Sequence, residues 1–385
     1  MTDDGSALSI VNGRLLDHQG ITEANLILRE GRIEKINPAS VPREVKRIDA
    51  QGKYVCPGFI DLQVNGCAGV DFGKLSGSDY RSAANFLSSR GVTSFLGTLI
   101  TQPPIRMREA MNALREADLP NLLGFHLEGP FISESKRGAH NPEHILKPSA
   151  EKLNLLIEGF APEVKLLTLA PELEGAREVI DRALERGITV SAGHTDASFE
   201  EALQAVRNGV SSFTHLYNGM KAFHHRRPGT VGAALESEAY ACLIADGIHL
   251  HPAAIRLALR SKSPKKICLC SDSIAAAGME ERAYTLGDQR ITLREGEARL
   301  ADGTLAGSVL TMDQAVGNYL EFTDLSLPEA VAAATWNPAK ILGIADRKGS
   351  IEEGKDADLT ILDRDLNVEY TIVDGEVLYP DESSN

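Results

Sequence analysis

Short apolar runs of strand length recur along the middle of the chain, and they constrain its fold more than any other feature. Amphipathic segments such as residues 199–206 fill most of the intervals, so the pattern is one of alternating strands and helices. Eight such units over about 290 residues match an α/β fold of the (β/α)8 TIM-like barrel type in number and length. The eight runs cover residues 55–62, 92–99, 121–128, 165–169, 188–193, 210–215, 241–246 and 267–271.

A doubly wound open sheet is the alternative arrangement of alternating strands and helices. Such sheets often carry a glycine-rich phosphate-binding turn after the first strand. No turn of that composition follows residues 55–62. The barrel is therefore the fold that the sequence favours.

Both ends of the chain lack helical periodicity. Residues 7–55 and 349–375 contain short strand-like runs, punctuated by turn signals such as Asn12-Gly13 and Asp374-Gly375. Because a short β segment alone leaves its hydrophobic face uncovered, we expect both termini to build one small β-sandwich domain. The predicted boundaries are 1–55 for the N-terminal part of the sandwich, 56–345 for the barrel and 346–385 for the C-terminal part.

The net charge argues against two classes of partner. The chain carries 40 Lys and Arg against 54 Asp and Glu, a formal net charge of −14. Nucleic acid and anionic membrane surfaces would be repelled at long range, so we expect neither as a partner. A small anionic substrate remains compatible with this charge if a few Arg and His side chains form a local cationic pocket.

The cysteines and the N-terminus bear on the cellular compartment. The chain has five cysteines, an odd number without a regular spacing, and its first residues show no basic and then apolar signal segment. No apolar stretch approaches the length of a membrane helix. We therefore expect a cytoplasmic protein with reduced, buried thiols.

Ionisable residues recur where the predicted strands end. Glu128 closes one run, His194 and His215 close two others, and Asp272 closes the last. In a barrel, the carboxyl ends of the strands form the catalytic rim. One Glu and two His would then converge as three metal ligands, leaving an open position for water. Each residue alone has an ordinary structural explanation, and it is their shared placement that predicts a metal site, with Asp272 beside it as a metal-compatible or acid–base residue.

His126 lies two residues before Glu128, on the same face of that strand. It is either a further ligand or a deeper residue that hydrogen-bonds the ligands, and we favour the second interpretation. We expect no role for the remaining loop histidines, which are His18, His144, His224, His225 and His251.

Six motifs, taken in order and spacing, resemble those of the N-acetylglucosamine-6-phosphate deacetylases, a family of the amidohydrolase superfamily. The resemblance covers nearly the whole chain. The first motif marks only the superfamily, whereas the second and the fourth are much more specific to the deacetylases. The motifs are Pro57-Gly-Phe-Ile-Asp61, His126-Leu-Glu-Gly-Pro-Phe131, Ser191-Ala-Gly-His-Thr-Asp196, Thr214-His-Leu-Tyr-Asn-Gly-Met220, Ile244-Ala-Asp-Gly-Ile-His249 and Gly307-Ser-Val-Leu-Thr-Met312.

The resemblance implies a role for each matching residue in the hydrolysis of a phosphorylated N-acetyl amino sugar. Glu128, His194 and His215 would bind the metal, Asp272 would be catalytic, and His140 would contact the substrate and donate a hydrogen bond to the oxyanion. Further substrate contacts are implied for Gln63, Ala139, Asn218, Gly219, Asp246, His249, Leu305, Ala306 and Gly307.

The resemblance also implies an arginine that binds the phosphate. Arg226 is the best match, Arg227 is its rival, and in related enzymes this loop reaches into the site of the neighbouring subunit, so we expect a homodimer. One position departs from the superfamily pattern. Many amidohydrolases carry His-x-His after the first strand and bind a second metal there, whereas this chain has Gln63-Val-Asn65. Amides are poor ligands for transition metals, so we expect one divalent ion per subunit, Zn²⁺ first, with Fe²⁺, Co²⁺ and Mn²⁺ compatible with the same ligands.

Three alternatives remain at this stage. The nearest is the same reaction on N-acetylgalactosamine 6-phosphate, which differs in the orientation of one hydroxyl. Cyclic-amide hydrolases are more distant, because they usually keep the His-x-His pair. A catalytically inactive amidohydrolase scaffold is a different class, and the joint presence of Glu128, His194, His215 and Asp272 argues against it.

Overall fold

The structure, a computed structural model, describes residues 7–41, 45–74 and 79–380. The outer ends of the predicted terminal segments, 1–6 and 381–385, lie outside the described residues. The strands in chain order are β1 (Leu8–Asp17), β2 (Gly20–Arg29), β3 (Arg32–Ile36), β4 (Lys46–Asp49), β5 (Tyr54–Pro57), β6 (Phe59–Val64), β7 (Gly66–Cys67), β8 (Val70–Asp71), β9 (Val92–Ile100), β10 (Leu122–Glu128), β11 (Val164–Leu169), β12 (Thr189–Ala192), β13 (Ser212–Phe213), β14 (Tyr240–Leu243), β15 (Ile267–Leu269), β16 (Ala283–Leu286), β17 (Gln289–Arg294), β18 (Glu297–Arg299), β19 (Leu359–Leu362), β20 (Val368–Val373) and β21 (Glu376–Tyr379).

The helices surround the barrel. They are α1 (Tyr80–Ser88), α2 (Pro104–Glu116), α3 (Ala150–Ile157), α4 (Ala176–Glu185), α5 (Phe199–Arg207), α6 (Gly229–Glu236), α7 (Pro252–Ser261), α8 (Met312–Phe322), α9 (Leu327–Ala332) and α10 (Trp336–Ile341). Capping fixes several of their starts. At α5 the Ser198 hydroxyl accepts the N–H of Glu201, and the Glu201 carboxylate accepts the N–H of Ser198. Within the described residues, no helix is both long and apolar enough to cross a membrane.

Eight parallel strands form the predicted barrel. Their order in the sheet is β6-β9-β10-β11-β12-β13-β14-β15, which follows the chain. The ends of the sheet meet where the Asn65 N–H donates to the Ser273 carbonyl oxygen (2.8 Å), beside a bridge between Val64 and Ser273. The (β/α)8 prediction is therefore confirmed, and the eighth strand returns to the first.

Both termini contribute to a second sheet, as the sequence predicts. Its order is β21-β20-β19-β5-β1-β2-β3, with β4 paired to β1. This sheet has a hydrophobic core separate from that of the barrel. Two fully buried residues of this core, Leu26 and Ile33, come from the N-terminal end of the chain, and two others, Leu359 and Ile372, come from the C-terminal end. Neither end could cover this core alone. The exact domain boundaries at 55/56 and 345/346 stay a prediction.

The first predicted strand, 55–62, is divided between the two sheets. β5 pairs with β19 in the terminal sheet, whereas β6 pairs with β9 in the barrel. Gly58 separates them, and a Cβ atom built there would lie 2.0 Å from the Thr93 hydroxyl oxygen. Only glycine allows so close an approach, so the chain changes sheets at this residue.

A cluster of buried charges lies near this junction. The Lys348 ammonium contacts the carboxylates of Asp356 (3.2 Å) and Asp358, and all three side chains are at most 8% exposed. Asp358 also accepts the Asp374 N–H (2.9 Å), while its own carbonyl accepts the Gly58 N–H (2.9 Å). Burial would lower the pKa of Lys348, but the charge of Asp358 raises it. Lys348 therefore stays protonated and is the counter-ion of Asp358 in the segment that joins both sheets.

Lys348→Met should lower the free energy of unfolding by about 3 kcal/mol, because it leaves a buried carboxylate without its counter-ion. Urea denaturation followed by circular dichroism measures this change. Lys35→Met is the matched control, since Lys35 pairs with Glu353 at the surface with 58% and 47% of the side chains exposed. The control should change stability by less than about 0.5 kcal/mol. Equal losses in both variants would contradict a stabilising role for the buried cluster.

Candidate metal centre and substrate cleft

Four ionisable side chains predicted from the strand ends lie at the carboxyl-terminal rim of the barrel. Glu128 is the last residue of β10, and His194 and His215 follow β12 and β13. Asp272 follows β15, and all four residues line one cleft at this rim. All four side chains are buried, with at most 8% of each residue exposed. The structure therefore brings together the residues that the sequence predicts to converge.

Three of these residues adopt the left-handed backbone conformation. The φ angles are +48° at His194, +31° at His215 and +50° at Asp272. This conformation is uncommon for residues with a side chain, and it is typical of functional sites where the surrounding structure holds it. Each strand ends abruptly here, and the turn directs the side chain across the barrel mouth.

Gly193 shows why the chain can turn so tightly before His194. A Cβ atom at this glycine would lie 2.8 Å from both Thr168 and Thr214 side-chain carbon atoms. The neighbouring strands therefore leave no room for a side chain at this position. The glycine allows the Gly193 N–H to donate to the Leu169 carbonyl oxygen (3.1 Å), which fixes the start of the turn.

The candidate ligands form a compact triangle. Glu128 Oε1 lies 3.1 Å from His194 Nε2 and 3.0 Å from His215 Nε2, and the two Nε2 atoms are 3.1 Å apart. Each Nδ1 faces a backbone carbonyl oxygen, that of Lys136 for His194 (2.9 Å) and that of Asn218 for His215 (3.0 Å). A carbonyl only accepts, so each Nδ1 carries the proton and each Nε2 presents its lone pair inward.

The electrostatics of this triangle favour a cation at its centre. Burial would raise the pKa of Glu128, yet hydrogen bonds from the His194 and His215 rings, in the forms that carry a proton on Nε2 in place of a cation, hold it well below its usual range. Burial would likewise lower the pKa of His215, but the hydrogen bond and the charge of Glu128 raise it to about 9. Both shifts show that the three groups stabilise positive charge between them.

The donor set fits a divalent transition-metal ion. One carboxylate and two imidazoles are typical of zinc sites that keep an open position for water. Ligand atoms around such an ion would lie about 3.3 Å apart for ordinary tetrahedral bond lengths, close to the separations seen here. Glu128, His194 and His215 form the one cluster of this type found among the described residues.

Gln63 and Asn65 occupy the positions where many amidohydrolases have His-x-His. The Gln63 amide donates to Glu128 Oε1 (2.8 Å), and the Asn65 amide donates to Asp272 Oδ1 (2.8 Å). Both side chains are buried. They orient the carboxylates of Glu128 and Asp272. Two hydrogen-bond donors thus stand in this chain where many amidohydrolases have the His-x-His ligands.

Asp272 has the environment of an acid–base residue. Burial, and then the negative charge of Glu128, raise its pKa to about 7. A cation bound by Glu128 would oppose this effect. Asp272 thus has an accessible proton equilibrium. It lines the cleft, and Asn65 holds one of its two oxygens.

His140 is held as a neutral hydrogen-bond donor. The Thr101 N–H donates to His140 Nδ1 (3.2 Å), so the ring proton belongs on Nε2, which lies 3.9 Å from Glu128 Oε2. Burial, and then the charge of His194, lower the pKa of His140 to about 3. The residue therefore presents an N–H beside the candidate metal ligands. His126 lies deeper and hydrogen-bonds the Thr168 hydroxyl (2.8 Å), as expected of a supporting residue.

A cleft of about 210 Å³ opens above these residues. Most of the predicted substrate contacts line it, namely Ala139, His140, Asn218, Gly219, His249, Leu305 and Gly307. His249 is oriented by Asp246, whose carboxylate accepts its Nδ1–H (2.6 Å). Burial would raise the pKa of Asp246, but this bond lowers it, so Asp246 stays ionised behind the histidine.

Four predicted contacts lie away from the lining of the cleft. Gln63 and Asp246 act behind Glu128 and His249, and Ala306 is fully buried. Arg226 is exposed, and its Nη1 lies 3.0 Å from His225 Nε2. A direct contact between these residues and a substrate stays a prediction.

Sequence reasoning missed one wall of the cleft. The connection after β15 contains the three-stranded sheet β16-β17-β18, and Leu286 at its first turn lines the cleft, as do Thr304, Ile100 and Ile244. Alternating residues over 283–299 with two turns, Gly287-Asp288 and Glu295-Gly296, are the signal that would have identified this sheet.

The chain is similar to known proteins over nearly its whole length. The model of the amidohydrolase family matches residues 54–378. An N-acetylglucosamine-6-phosphate deacetylase of Danio rerio is 39% identical, with 98% of each chain covered.

Solved structures give the same result. The N-acetylglucosamine-6-phosphate deacetylase of Pasteurella multocida superposes with a TM-score of 0.90 at 35% identity, covering 96% of this chain and 99% of the other. An aspartate-to-alanine variant of the Mycobacterium smegmatis enzyme, in complex with N-acetyl-D-glucosamine-6-phosphate, also gives a TM-score of 0.90 at 29% identity, covering 97% of this chain and all of the other. The barrel, the ligand cluster and these similarities lead to one conclusion: the chain belongs to the amidohydrolase family, within its group of N-acetylglucosamine-6-phosphate deacetylases.

Proposed function

We propose that the chain hydrolyses N-acetyl-D-glucosamine 6-phosphate to D-glucosamine 6-phosphate and acetate, a step of amino-sugar catabolism. The observation that carries this proposal is the cluster of Glu128, His194 and His215 beside Asp272, on one rim of the barrel. The near full-length similarity to deacetylases that carry this name supports the choice of substrate.

Glu128, His194 and His215 would hold one divalent cation, with Zn²⁺ as the first candidate. When bound, such a cation supplies Lewis acidity to the acetyl carbonyl and to the attacking water. Gln63 and Asn65 are amides that already donate to carboxylates, so this chain offers no second set of strong ligands at that position. We therefore infer one cation per chain.

Asp272 would move the proton. Its free carboxylate oxygen takes a proton from the attacking water and then delivers it to the sugar nitrogen as the amide bond breaks. His140 would donate its Nε2–H to the oxygen of the tetrahedral intermediate. Thr101 keeps the required tautomer of His140, because its N–H occupies Nδ1.

The phosphate needs a cation that the cleft of a single chain lacks. Among the described residues that line the cleft there is neither lysine nor arginine. Arg226 lies on an exposed turn, which a bridge between His224 and Arg227 closes. We infer that the chain forms a homodimer in which Arg226 reaches the site of its partner, with His249 completing the phosphate site.

The alternatives receive less support. The relatives described above carry the gluco name, so a preference for N-acetylgalactosamine 6-phosphate is not favoured. An inactive scaffold would have no reason to retain the buried ligand triangle. The five cysteines are buried and free, in agreement with the proposed cytoplasmic location.

Metal analysis tests the first part of the proposal. Purified protein should hold about one divalent ion per chain, because three strong ligands converge at one point. His194→Asn should lose most of this metal, whereas His251→Asn, at an exposed helix start, should retain it. Elemental analysis after dialysis gives both numbers. Two tightly held equivalents, with activity following the second, would contradict the mononuclear site.

Asp272→Asn tests the acid–base role. The variant should keep its metal, while kcat falls by at least about 10²-fold, since a general acid–base group contributes that much or more. Amine release from N-acetylglucosamine 6-phosphate measures kcat. Asp324→Asn, an exposed acid on another turn, is the control and should behave as wild type. A near-normal kcat for Asp272→Asn would remove this residue from the mechanism.

Arg226→Ala tests the phosphate site and the dimer together. It should raise KM for the phosphorylated sugar strongly, and leave the slow reaction of unphosphorylated N-acetylglucosamine almost unchanged, because only the phosphate loses its guanidinium partner. Arg227→Ala is the matched control and should change KM much less. The opposite order of effects would make Arg227 the phosphate ligand.

Mixed dimers then show whether the arginine acts on the neighbouring site. Co-assembly of Asp272→Asn and Arg226→Ala chains should restore native residues in about a quarter of the sites, as counted for random dimers. Each variant alone should stay nearly inactive. Mixed dimers that form by mass analysis without recovered activity would place the arginine in its own site.

A further inference from the structure

The small sheet after β15 contributes an apolar wall to the cleft. β16 and β17 form a hairpin whose turn begins at Leu286, and Leu286 is 4% exposed and lines the cleft. Most of the hairpin's inward side chains pack on one another and on residues of the rim. Leu286 differs from Leu293 of the same hairpin, because only Leu286 is among the described residues that line the cleft.

Polar contacts on both sides fix the tip of this hairpin. The Gly287 N–H donates to Asp71 Oδ2 (2.9 Å), and Asp71 is buried. On the other side, Asp288 Oδ2 accepts the Asn141 amide (2.6 Å) and lies 3.2 Å from His144 Nε2. Asn141 follows His140 directly in the chain. The tip is therefore tied to the same loop that positions the proposed oxyanion donor.

The barrel contributes a second apolar side chain, Ile100, to the same wall of the cleft as Leu286. Ile100 ends β9, it is the register partner of the metal ligand Glu128, and it lines the cleft. A Cβ atom built on Gly287 would lie 3.2 Å from Ile100 Cδ1, so the hairpin tip packs directly on this side chain. The next residue, Thr101, donates its N–H to His140. The wall and the His140 donor thus occupy the same side of the cleft.

We propose that Leu286 and Ile100 form the pocket for the alkyl part of the acyl group, and that Leu286 limits its length. This inference rests on the proposed function. During hydrolysis the water oxygen bonds to the acyl carbon, the carbon–nitrogen bond breaks, the amine nitrogen takes both protons of the water and leaves as an ammonium group, and the acyl group leaves as a carboxylate. The alkyl group is bonded to the same carbon as the oxygen that His140 binds. The alkyl group therefore stays close to His140, and Ile100 and Leu286 are apolar side chains that line the cleft beside that residue.

The chemistry of the reaction is the same for a longer acyl chain, so space at this wall decides which substrates react. One added or missing methylene in an apolar pocket changes kcat/KM by about 10-fold or more. Leu286→Ala removes most of an apolar side chain from the wall. It should raise kcat/KM for the N-butyryl substrate relative to the N-acetyl substrate by at least about 10-fold.

The experiment compares N-acetyl-, N-propionyl- and N-butyryl-glucosamine 6-phosphate, with amine release measured for metal-loaded wild type, Leu286→Ala and Leu293→Ala. Leu293 is 5% exposed and belongs to the same apolar cluster, so Leu293→Ala loosens the hairpin core without reaching the cleft. It should keep the wild-type order of the three substrates. An equal change of the acyl preference in both variants, or no change in Leu286→Ala, would overturn the proposal.

Two further measurements keep the outcome decisive. If Leu286→Ala does not fold by circular dichroism, Leu286→Val replaces it and should shift the preference in the same direction towards the N-propionyl substrate. Failure of the proposed function has a different signature, because wild type would then release no amine from the N-acetyl substrate. Activity on that substrate with an unchanged acyl preference in every variant of Leu286 contradicts only the acyl pocket.

Discussion

The structure depends on the convergence of three hydrogen-bond acceptors on one point. Glu128 Oε1 and the Nε2 atoms of His194 and His215 lie within 3.1 Å of one another, inside a rim where they are almost fully buried. Without positive charge between them such an arrangement would be repulsive. The left-handed residues His194 and His215 add backbone strain of about 1–3 kcal/mol each. The barrel tolerates both terms because each ligand is fixed on a different strand, and because backbone carbonyls hold the far side of both imidazoles.

The amides of Gln63 and Asn65 explain how the rim works without a second pair of histidines. They stand at the seam where β6 meets the residues after β15, and each donates to one carboxylate. Gln63 orients Glu128, and Asn65 donates to one oxygen of Asp272, which leaves the other oxygen for the proposed proton transfer. A histidine pair at these positions would supply ligands for a second cation, whereas two amides supply only donors. The residues that close the barrel are therefore also the ones that leave Glu128, His194 and His215 as the three strong candidate ligands at this rim.

The parts predicted from the sequence are those governed by local pattern. Apolar runs and their polar ends located the eight barrel strands, and so placed Glu128 and Asp272 on one rim. The rest depends on contacts between distant segments. No local signal separates β5 from β6, because Gly58 is required only by the approach of Thr93. The left-handed turns at His194 and Asp272 arise from the neighbouring strands, since neither residue type specifies that conformation. Leu286 was missed because its strands lie in what reads as a long loop after the last barrel strand.

In the proposed function, different walls of the cleft bind different parts of the substrate. This would separate the cation that binds the phosphate from the carboxylates at the barrel rim. A chain with a net charge of −14 has no long-range attraction for a phosphorylated sugar. Its cleft contains the carboxylates of Glu128 and Asp272, and an arginine of the same chain beside them would pair with one of them and compete with the proposed metal. In the proposed dimer, Arg226 on its exposed turn would avoid this competition, because it would meet the partner's site only through assembly and at the end proposed to hold the phosphate. Under this proposal, the negative rim would bind a cation at its centre, while the guanidinium proposed to bind the phosphate would stay out of reach of the candidate ligands.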